Sequence, residues 1–472
     1  MKITLIGLGV VKGDIPRRAY AALDKAGVIL ARTDRAESFA SLEGYEVRTL
    51  DDVFKRSRTF DTLNRNLARE VLAAAKTADV CYCVDGSVSE DLACGIIMAK
   101  HKDTEVIDSV SKACNAINLA GLSAGGVYCT SAYDMDSVRF CKAIAVYDID
   151  DEYHAGLVKE KLSDIYGEES ECWYVHANKA VKIKIYEIDR QGEYDMTSAV
   201  VAQENPDFLK KDRYDYTDLE HMVAILRAPG GCPWDRVQTS ESIKKNVIEE
   251  AYELADAIDR KDYDGIEEET GDIILQAAFH ALMASEKGEF TSTDAITREV
   301  KKLIFRHEHV FGKAKASNDA EALGVWDSRK AVEKEQTTFG DTVLAVPRNF
   351  PACTRAQKVQ KRAAKSGMDF LSSVSAAEEM VEEVNELLDV LIRGEKDRVE
   401  DEAGDVLFSA VNVCRLAGVD CEEVLRKAVD KFTDRFVMCE KLIIADGKDI
   451  TDMNELELNI YWIKAKDELA KS

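Results

Sequence analysis

The sequence predicts a multidomain protein in which an α/β domain is followed by a helical region that contains one unit twice. In the first third of the chain, short β-branched runs alternate with helical stretches, as is typical of α/β layers. From about residue 214 onward, apolar residues recur at three- and four-residue spacing, as they do along amphipathic helices. An acidic pattern occurs twice within this helical part, which indicates an internal duplication.

The length and the prolines suggest where the domains end. The chain has 472 residues, which corresponds to about three domains at roughly 150 residues each. Five of its six prolines fall in two groups between periodic segments, Pro206 to Pro233 and Pro347 to Pro351. Because proline interrupts helices and central strands, these groups mark boundaries. We therefore expect domains at residues 1–205, 214–335 and 345–472.

Composition excludes several classes of protein. The net charge of −25 argues against nucleic-acid binding through a basic surface, but it allows a metal-dependent phosphate enzyme. No apolar run approaches the roughly 18 residues that a membrane helix needs, and Lys12 and Asp14 follow the short run Ile3 to Leu8 too soon for a signal peptide. The twelve cysteines are scattered without a CxxC pair, which favours a reducing compartment. We expect a cytoplasmic protein with no nucleic-acid partner and no membrane partner.

Strand candidates support the α/β assignment of the first domain. Four short apolar runs predict its strands, namely Ile3–Ile6, Val80–Val84, Val106–Ile107 and Ile144–Tyr147. Towards the end of the domain, Val181 to Ile185 alternates strictly and Thr197 to Ala202 follows. These two segments are expected to be half-exposed antiparallel strands.

The duplicated acidic pattern is the strongest motif. In copy one, the acids of Glu249 to Glu253 are followed by those of Glu269 to Asp272; in copy two, Glu382 to Glu386 is followed by Glu402 to Asp405. The copies are offset by 133 residues, and their aliphatic residues keep the same register. One such pattern could arise by chance in so acidic a chain. Its repetition at the same spacing makes two merely solvated helix faces a poor alternative.

The spacing of the acids predicts a metal site. Glu250 and Glu253 are three residues apart on one helix, and Glu269 and Asp272 are three apart on the next, so each pair shares a face. If residues 260–265 form a turn, the two helices run antiparallel and the four carboxylates face each other. Such a group would repel itself and raise its own pKa values. Mg²⁺ relieves the repulsion and keeps positions free for water and phosphate.

On these residues, the helical part resembles the MazG family of all-α nucleoside triphosphate pyrophosphohydrolases over roughly residues 214–472. The flanking sequences agree as well: Gly231 to Asp235, Gln238-Thr239, Phe305 to His307, Phe311-Gly312, Arg355-Ala356, Gln360 to Ala364, Gly367 and Lys431 to Phe436. The resemblance implies cleavage of nucleoside triphosphates to monophosphate and pyrophosphate with Mg²⁺, or with Mn²⁺ in its place.

The resemblance also implies roles for individual residues. The metal ligands would be Glu250, Glu253, Glu269 and Asp272 in copy one and Glu383, Glu386, Glu402 and Asp405 in copy two. The remaining acids of the first motif, Glu249 and Glu382, would be catalytic, either orienting the attacking water or binding metal indirectly.

Basic residues are expected to hold the phosphates. Two basic pairs have a spacing of four residues, which places both side chains of a pair on one face of a helix: Lys302 with Arg306, and Lys431 with Arg435. The alternative is that these are surface charges that are solvated or held in salt bridges. In copy two, Glu379 occupies a position at which some family members have a lysine, and Arg398 is expected to supply the missing positive charge. Copy one has Gly265 at the position that corresponds to Arg398. Trp462 and Lys466 are expected to cover the second site, with a core role as the alternative for Trp462. We expect copy two to be the better site.

The first domain carries a weaker set of motifs. Gly7 and Gly9 follow a strand, but Lys12 occupies the last glycine position of a dinucleotide fingerprint. In its strand order and in residues 186–190, the region 1–205 resembles the tetrapyrrole (corrin/porphyrin) methylase fold. A domain of this fold joined to MazG units is the arrangement of YabN-type proteins. The resemblance implies S-adenosylmethionine in a cleft between two α/β subdomains, bound by Gly7, Gly9, Asp14, Asp85 and Gly86. Because both loops depart from the family pattern, weak or no methyl transfer is expected.

Three functional hypotheses follow. The favoured one is a Mg²⁺-dependent nucleoside triphosphate pyrophosphohydrolase that acts on the nucleotide pool. The alternative is an S-adenosylmethionine-dependent tetrapyrrole methyltransferase with a regulatory helical part. A catalytically idle scaffold is the third, and the duplicated ligand set argues against it. We expect the two copies to pair, either within one chain or across a homodimer.

Overall fold

Two five-stranded sheets form the first part of the chain in a computed structural model, which describes residues 1–334 and 336–470. The expected domain limits at residues 335 and 472 lie outside the described residues. The strands are β1 (Ile3–Gly7), β2 (Val28–Ala31), β3 (Val47–Thr49), β4 (Val80–Val84), β5 (Thr104–Ile107), β6 (Tyr128–Ser131), β7 (Ala143–Tyr147), β8 (Glu171–His176), β9 (Lys179–Lys184) and β10 (Ala199–Gln203).

The first sheet is parallel and has the order β3-β2-β4-β1-β5. Its central strands β1 and β4 are buried along their whole length, as their continuous apolar runs predict. Cys81 and Cys83 on β4 are core thiols. Because β1 lies between β4 and β5, the carboxyl ends of these three strands share one edge, which is where open α/β sheets form ligand crevices.

The second sheet is mixed and has the order β6-β7-β10-β8-β9. The antiparallel pairing expected near its end is confirmed, since β8 pairs with β9 and β10 pairs with both β7 and β8. β9 is half-exposed as expected. The same expectation for residues 197–202 is wrong: β10 is almost wholly buried because it lies in the centre of the sheet. The two sheets give the expected pair of α/β subdomains.

Helices surround the sheets and make up the rest of the chain. They are α1 (Arg17–Leu23), α2 (Asp51–Arg56), α3 (Phe60–Ala74), α4 (Leu92–Lys100), α5 (Lys112–Leu119), α6 (Glu152–Tyr166), α7 (Tyr216–Arg227), α8 (Pro233–Arg236), α9 (Lys244–Arg260), α10 (Tyr263–Glu286), α11 (Ser292–Arg306), α12 (Glu308–Phe311), α13 (Asp319–Glu333), α14 (Phe339–Leu344), α15 (Ala352–Ala364), α16 (Ser373–Arg393), α17 (Lys396–Leu416), α18 (Cys421–Ala445) and α19 (Glu455–Leu469).

Each acidic copy is a helical hairpin with a very short turn. In copy one, Lys261 ends α9 in the left-handed region, and the side chain of Asp262 caps α10 by accepting a hydrogen bond from the backbone N–H of Gly265. The turn is therefore shorter than the expected residues 260–265, and Gly265 lies inside α10. In copy two, Gly394 ends α16 with a φ of 71° and α17 begins at Lys396.

The structure divides into two compact units, Met1–Ser292 and Thr293–Ser472. The first contains both sheets, whose buried aliphatic residues form the largest cores, together with α7 to α10. The second contains copy two and ends in a small core between α18 and α19 around Ile443 and Tyr461. Within the described residues, no helix is both long enough and apolar enough to cross a membrane.

Candidate active site

In copy one, three carboxylates converge between α9 and α10. Glu250 and Glu253 lie one turn apart on α9, and Glu269 approaches them from α10. One oxygen of each lies within 4.8 Å of the other two. Asp272 lies one turn after Glu269, and its charge helps to raise the pKa of both Glu250 and Glu269. The structure thus brings together three of the four acids that the sequence singled out, and the fourth, Asp272, acts on them through its charge. We call these four acids the seam of copy one.

Among the residues that the structure describes, no lysine, arginine or histidine forms a salt bridge with the seam of copy one. Burial, together with the charges of Asp272 and Glu253, raises the pKa of Glu250 above its ordinary value. Burial and the charge of Glu253 do the same to the pKa of Glu269. One oxygen of Glu269, Oε2, is buried and accepts no hydrogen bond. The amide of the buried Gln276 donates to Glu250 Oε1 at 3.4 Å, and no sequence pattern marked this residue.

In copy two, the corresponding seam lies between α16 and α17. One oxygen each of Glu383, Glu386 and Glu402 lies within 4.8 Å of the others. Burial and the charges of Asp405 and Glu386 raise the pKa of Glu383 above its ordinary value. Glu402 is buried, whereas Asp405 is exposed. The fourth acid, Asp405, therefore acts on this seam through its charge and is accessible to solvent.

One basic residue distinguishes the two seams. In copy two, the guanidinium of Arg398 forms an ion pair with Glu402, four residues further along α17. The equivalent residue of copy one is Gly265, which has no side chain to reach Glu269. Copy two therefore carries an internal counter-charge that copy one lacks.

The two predicted catalytic acids lie beside the seams. Glu249 precedes Glu250 on α9, and Glu382 precedes Glu383 on α16; both side chains are exposed. An exposed carboxylate next to the seam is accessible to water. Their role in orienting that water stays a prediction.

The predicted phosphate-binding residues differ between the copies. Lys302 forms an ion pair with Glu299, and the buried Arg306 donates from Nε to Glu333 Oε2 at 2.7 Å and stacks on Trp326. In contrast, Lys431 is exposed and Arg435 is half-buried, and neither has a salt-bridge partner within residues 336–470. The basic pair on α18 is thus available to a ligand, whereas the pair on α11 is engaged by carboxylates.

The chain end has a packing role. Trp462 packs against the core between α18 and α19, and its ring centroid lies 5.4 Å from that of Phe432. This contact supports the core alternative for Trp462. Lys466, one turn further on, is exposed.

The acids fit a hard divalent cation. Each seam offers several carboxylate oxygens within a few ångströms, and in copy one a buried oxygen has no hydrogen-bond donor. Mg²⁺ and Mn²⁺ take oxygen ligands and retain positions for water and phosphate. The arrangement can therefore hold the cation that a polyphosphate requires.

The cofactor residues expected in the first domain are all engaged within the chain. Gly9 and Gly86 form a backbone bridge with each other. Asp14 accepts hydrogen bonds from the backbone N–H groups of Val10 and Val11. Asp85 Oδ2 pairs with Lys112, which no sequence pattern marked because a single lysine after a serine forms none, whereas Asp85 Oδ1 is buried without a hydrogen-bond partner among the described residues.

Comparison with known proteins agrees with the duplication. The family model described as the MazG nucleotide pyrophosphohydrolase domain matches residues 238–311 and 372–438, and each range contains one seam. Over 256 residues the chain is 40% identical to the nucleoside triphosphate pyrophosphohydrolase/pyrophosphatase MazG of Thermotoga maritima, covering 53% of this chain and 95% of that protein.

Two further similarities include the first domain. The protein YabN of Bacillus subtilis is 28% identical over 488 residues, covering 99% of this chain and 98% of its own length. Among solved structures, the precorrin-6Y methylase of Archaeoglobus fulgidus covers 43% of this chain and 97% of its own, with 13% identity and a TM-score of 0.32.

Proposed function

The chain belongs to the MazG nucleotide pyrophosphohydrolase family, and from this premise we propose that it hydrolyses nucleoside triphosphates to monophosphate and pyrophosphate with Mg²⁺ at its seams. Family membership makes it a hydrolase that acts on acid anhydrides. The observation that carries the proposal is the convergence of three carboxylates within 4.8 Å in each copy, with the buried Glu269 Oε2 unpartnered.

We assign the metal to the seam carboxylates of each copy. Bound there, Mg²⁺ would supply positive charge to the triphosphate, which otherwise repels an acidic surface. Glu249 and Glu382 are assigned to orient the water that attacks the α-phosphorus, because each is exposed beside its seam. Lys431 and Arg435 are assigned to the departing pyrophosphate of copy two, since no salt bridge engages them within residues 336–470.

The biological role proposed is the removal of nucleoside triphosphates from the nucleotide pool. This role follows from the reaction itself, since conversion to the monophosphate withdraws a substrate from polymerases. It does not depend on which base is preferred.

The test is a single-turnover hydrolysis in ¹⁸O-labelled water with a panel of nucleoside triphosphates and Mg²⁺. Attack at the α-phosphorus places the label in the monophosphate and releases unlabelled pyrophosphate as the first product. The matched control is the double variant Glu253→Gln/Glu386→Gln, which should lack activity. Orthophosphate as the first product, label in pyrophosphate, or full activity in excess chelator would contradict the proposal.

A further inference from the structure

A buried lysine joins the two halves of the α/β domain. Lys112 Nζ, at the start of α5, donates to Asp85 Oδ2 at 2.7 Å and also to a carboxylate oxygen of Asp148. Asp85 follows β4 of the first sheet, and Asp148 follows β7 of the second. All three residues are at most 9% exposed. The ion pairs therefore cross the cleft between the sheets at the carboxyl ends of β1, β4 and β5.

The cluster holds one ammonium against two carboxylates, and its hydrogen bonds leave one buried oxygen, Asp85 Oδ1, without a donor in the part of the chain that the structure describes. Burial alone would lower the pKa of Lys112, but the charges of Asp148 and Asp85 raise it above its ordinary value, so the lysine stays protonated. Burial raises the pKa of Asp85, and the charges of Lys112 and Arg32 more than offset this effect. Ser131 Oγ, from the second sheet, donates a further hydrogen bond to Asp148 Oδ2 at 2.9 Å.

Six backbone donors at the same edge are also taken. Asp14 accepts from two N–H groups of the loop after β1. Asp108 accepts from the N–H groups of Val88 and Ser109. Glu90 accepts from the first two N–H groups of α5, those of Lys112 and Ala113. A helix N-terminus is an anion site, and here the chain's own carboxylate occupies it.

The two loops themselves lie against each other. The N–H of Gly86 donates to the carbonyl oxygen of Gly9 at 2.8 Å, and the N–H of Gly9 donates to that of Gly86 at 3.2 Å. A Cβ added at Gly7 would lie 2.8 Å from the carbonyl oxygen of Gly86. Gly7 is therefore needed because a side chain at this position would prevent the two loops from lying so close together.

We propose that this domain does not bind S-adenosylmethionine, and that Lys112 with Asp85 and Asp148 forms a lock that holds the two sheets together in its place. The residues at this edge do not fit the cofactor. Its carboxylate needs hydrogen-bond donors, and the Lys112 ammonium and the backbone N–H groups named above already donate to the chain's own carboxylates. Asp85 Oδ1 has no donor within the described chain, but an acceptor cannot hold a carboxylate. Its entry would also leave Lys112 or its partners buried without a counter-charge, which is strongly unfavourable.

Calorimetric titration of the full chain with S-adenosylmethionine tests the first half of the proposal. We expect no binding stronger than a dissociation constant of about 1 mM, and no rise in the unfolding temperature of the α/β domain in scanning calorimetry. Micromolar binding, or a rise in that temperature, would overturn it. Neither readout depends on hydrolysis at the seams.

Scanning calorimetry of variants tests the lock. Lys112→Met leaves two buried carboxylates unpaired and should lower the unfolding temperature of the α/β domain by about 10 °C. Lys12→Met removes an exposed pair with Glu43 and should change it by no more than about 1 °C. The triple variant Asp85→Asn/Lys112→Met/Asp148→Asn removes all three charges and should recover most of the loss, even if Lys112→Met alone does not fold. Equal effects of Lys112→Met and Lys12→Met, or no recovery in the triple variant, would overturn the lock.

Discussion

The guanidinium of Arg398 is paired with the carboxylate of Glu402 across one turn of α17, although the side chain of Glu402 is only 8% exposed. Glu402 belongs to the seam of copy two, so a metal ion that uses this carboxylate competes with the arginine. In copy one the equivalent Glu269 keeps a buried oxygen without a partner. The two seams therefore differ in charge compensation before any ligand is bound: Glu402 already has a counter-charge, and Glu269 has none among the described residues.

Removing the competing arginine should tighten metal binding at copy two. In a Glu253→Gln background, which disables copy one, Arg398→Gln should raise the affinity for Mn²⁺ about fivefold to tenfold, because the ion no longer displaces a salt bridge. Free Mn²⁺ measured by electron paramagnetic resonance gives the affinity directly. Arg393→Gln, which removes an exposed pair with Asp389 on α16, is the matched control and should have no effect. An unchanged or weaker affinity in Arg398→Gln would refute the competition.

Copy two should account for most of the hydrolysis. Its basic pair on α18 has no salt-bridge partner in the described part of the second unit, whereas Lys302 and Arg306 are engaged by Glu299 and Glu333. Glu386→Gln should therefore lower turnover about a hundredfold, and Glu253→Gln should leave a substantial fraction. Steady-state release of pyrophosphate measures both. The opposite order would make copy one the main site and copy two the scaffold.

Divalent metal should stabilise copy one against heat. Burial and mutual repulsion raise the pKa of Glu250 and Glu269, so the metal-free seam holds unfavourable charge. Mg²⁺ at ten times its dissociation constant should raise the unfolding temperature of this part by about 4 °C, with NaCl at equal ionic strength as the control. Glu269→Gln should unfold at a higher temperature than the wild type without metal and should respond less to Mg²⁺. A response identical to that of the wild type would exclude Glu269 as a ligand.

His154 should titrate above its ordinary pKa. Burial lowers the pKa of His154, but the hydrogen bond to Asp150 and the charge of Asp151 more than offset this and raise it above 6.5. Because the folded-state pKa is raised, protonated His154 stabilises the folded protein. This stabilisation is fully present below about pH 6.5 and is lost as the pH rises through the folded-state pKa. Proton NMR of the imidazole, assigned with His154→Gln, measures the midpoint. Asp151→Asn retains a good N-cap for α6 and should shift the midpoint downwards; an unchanged midpoint would contradict this account.

The acidic hairpins were predictable because their determinants are local. A spacing of three residues places two acids on one face of a helix, and a gap of sixteen between Glu253 and Glu269 leaves room for one short turn. The turn itself was predicted too long, because the cap formed by Asp262 starts α10 earlier than Gly265 suggests. Helix periodicity does not reveal which residue caps a helix.

Other features arise from residues that are distant in sequence. Lys112 meets Asp85 and Asp148 only because β4 and β7 end and α5 begins at one cleft, and no local pattern marks any of the three as a partner. The burial of β10 likewise depends on its place between β7 and β8 rather than on its own residues.

By itself, the sequence determined the α/β and helical parts of the chain, the duplication, and the four acids of each seam, because periodicity and spacing act within a helix or strand. Only the tertiary structure decided which charges are compensated. Arg398 neutralises Glu402, Glu269 stays unpaired, and Lys112 closes the cleft of the first domain. The reason is physical: the energy of a charge depends on its burial and on the neighbours within a few ångströms, and the fold sets both.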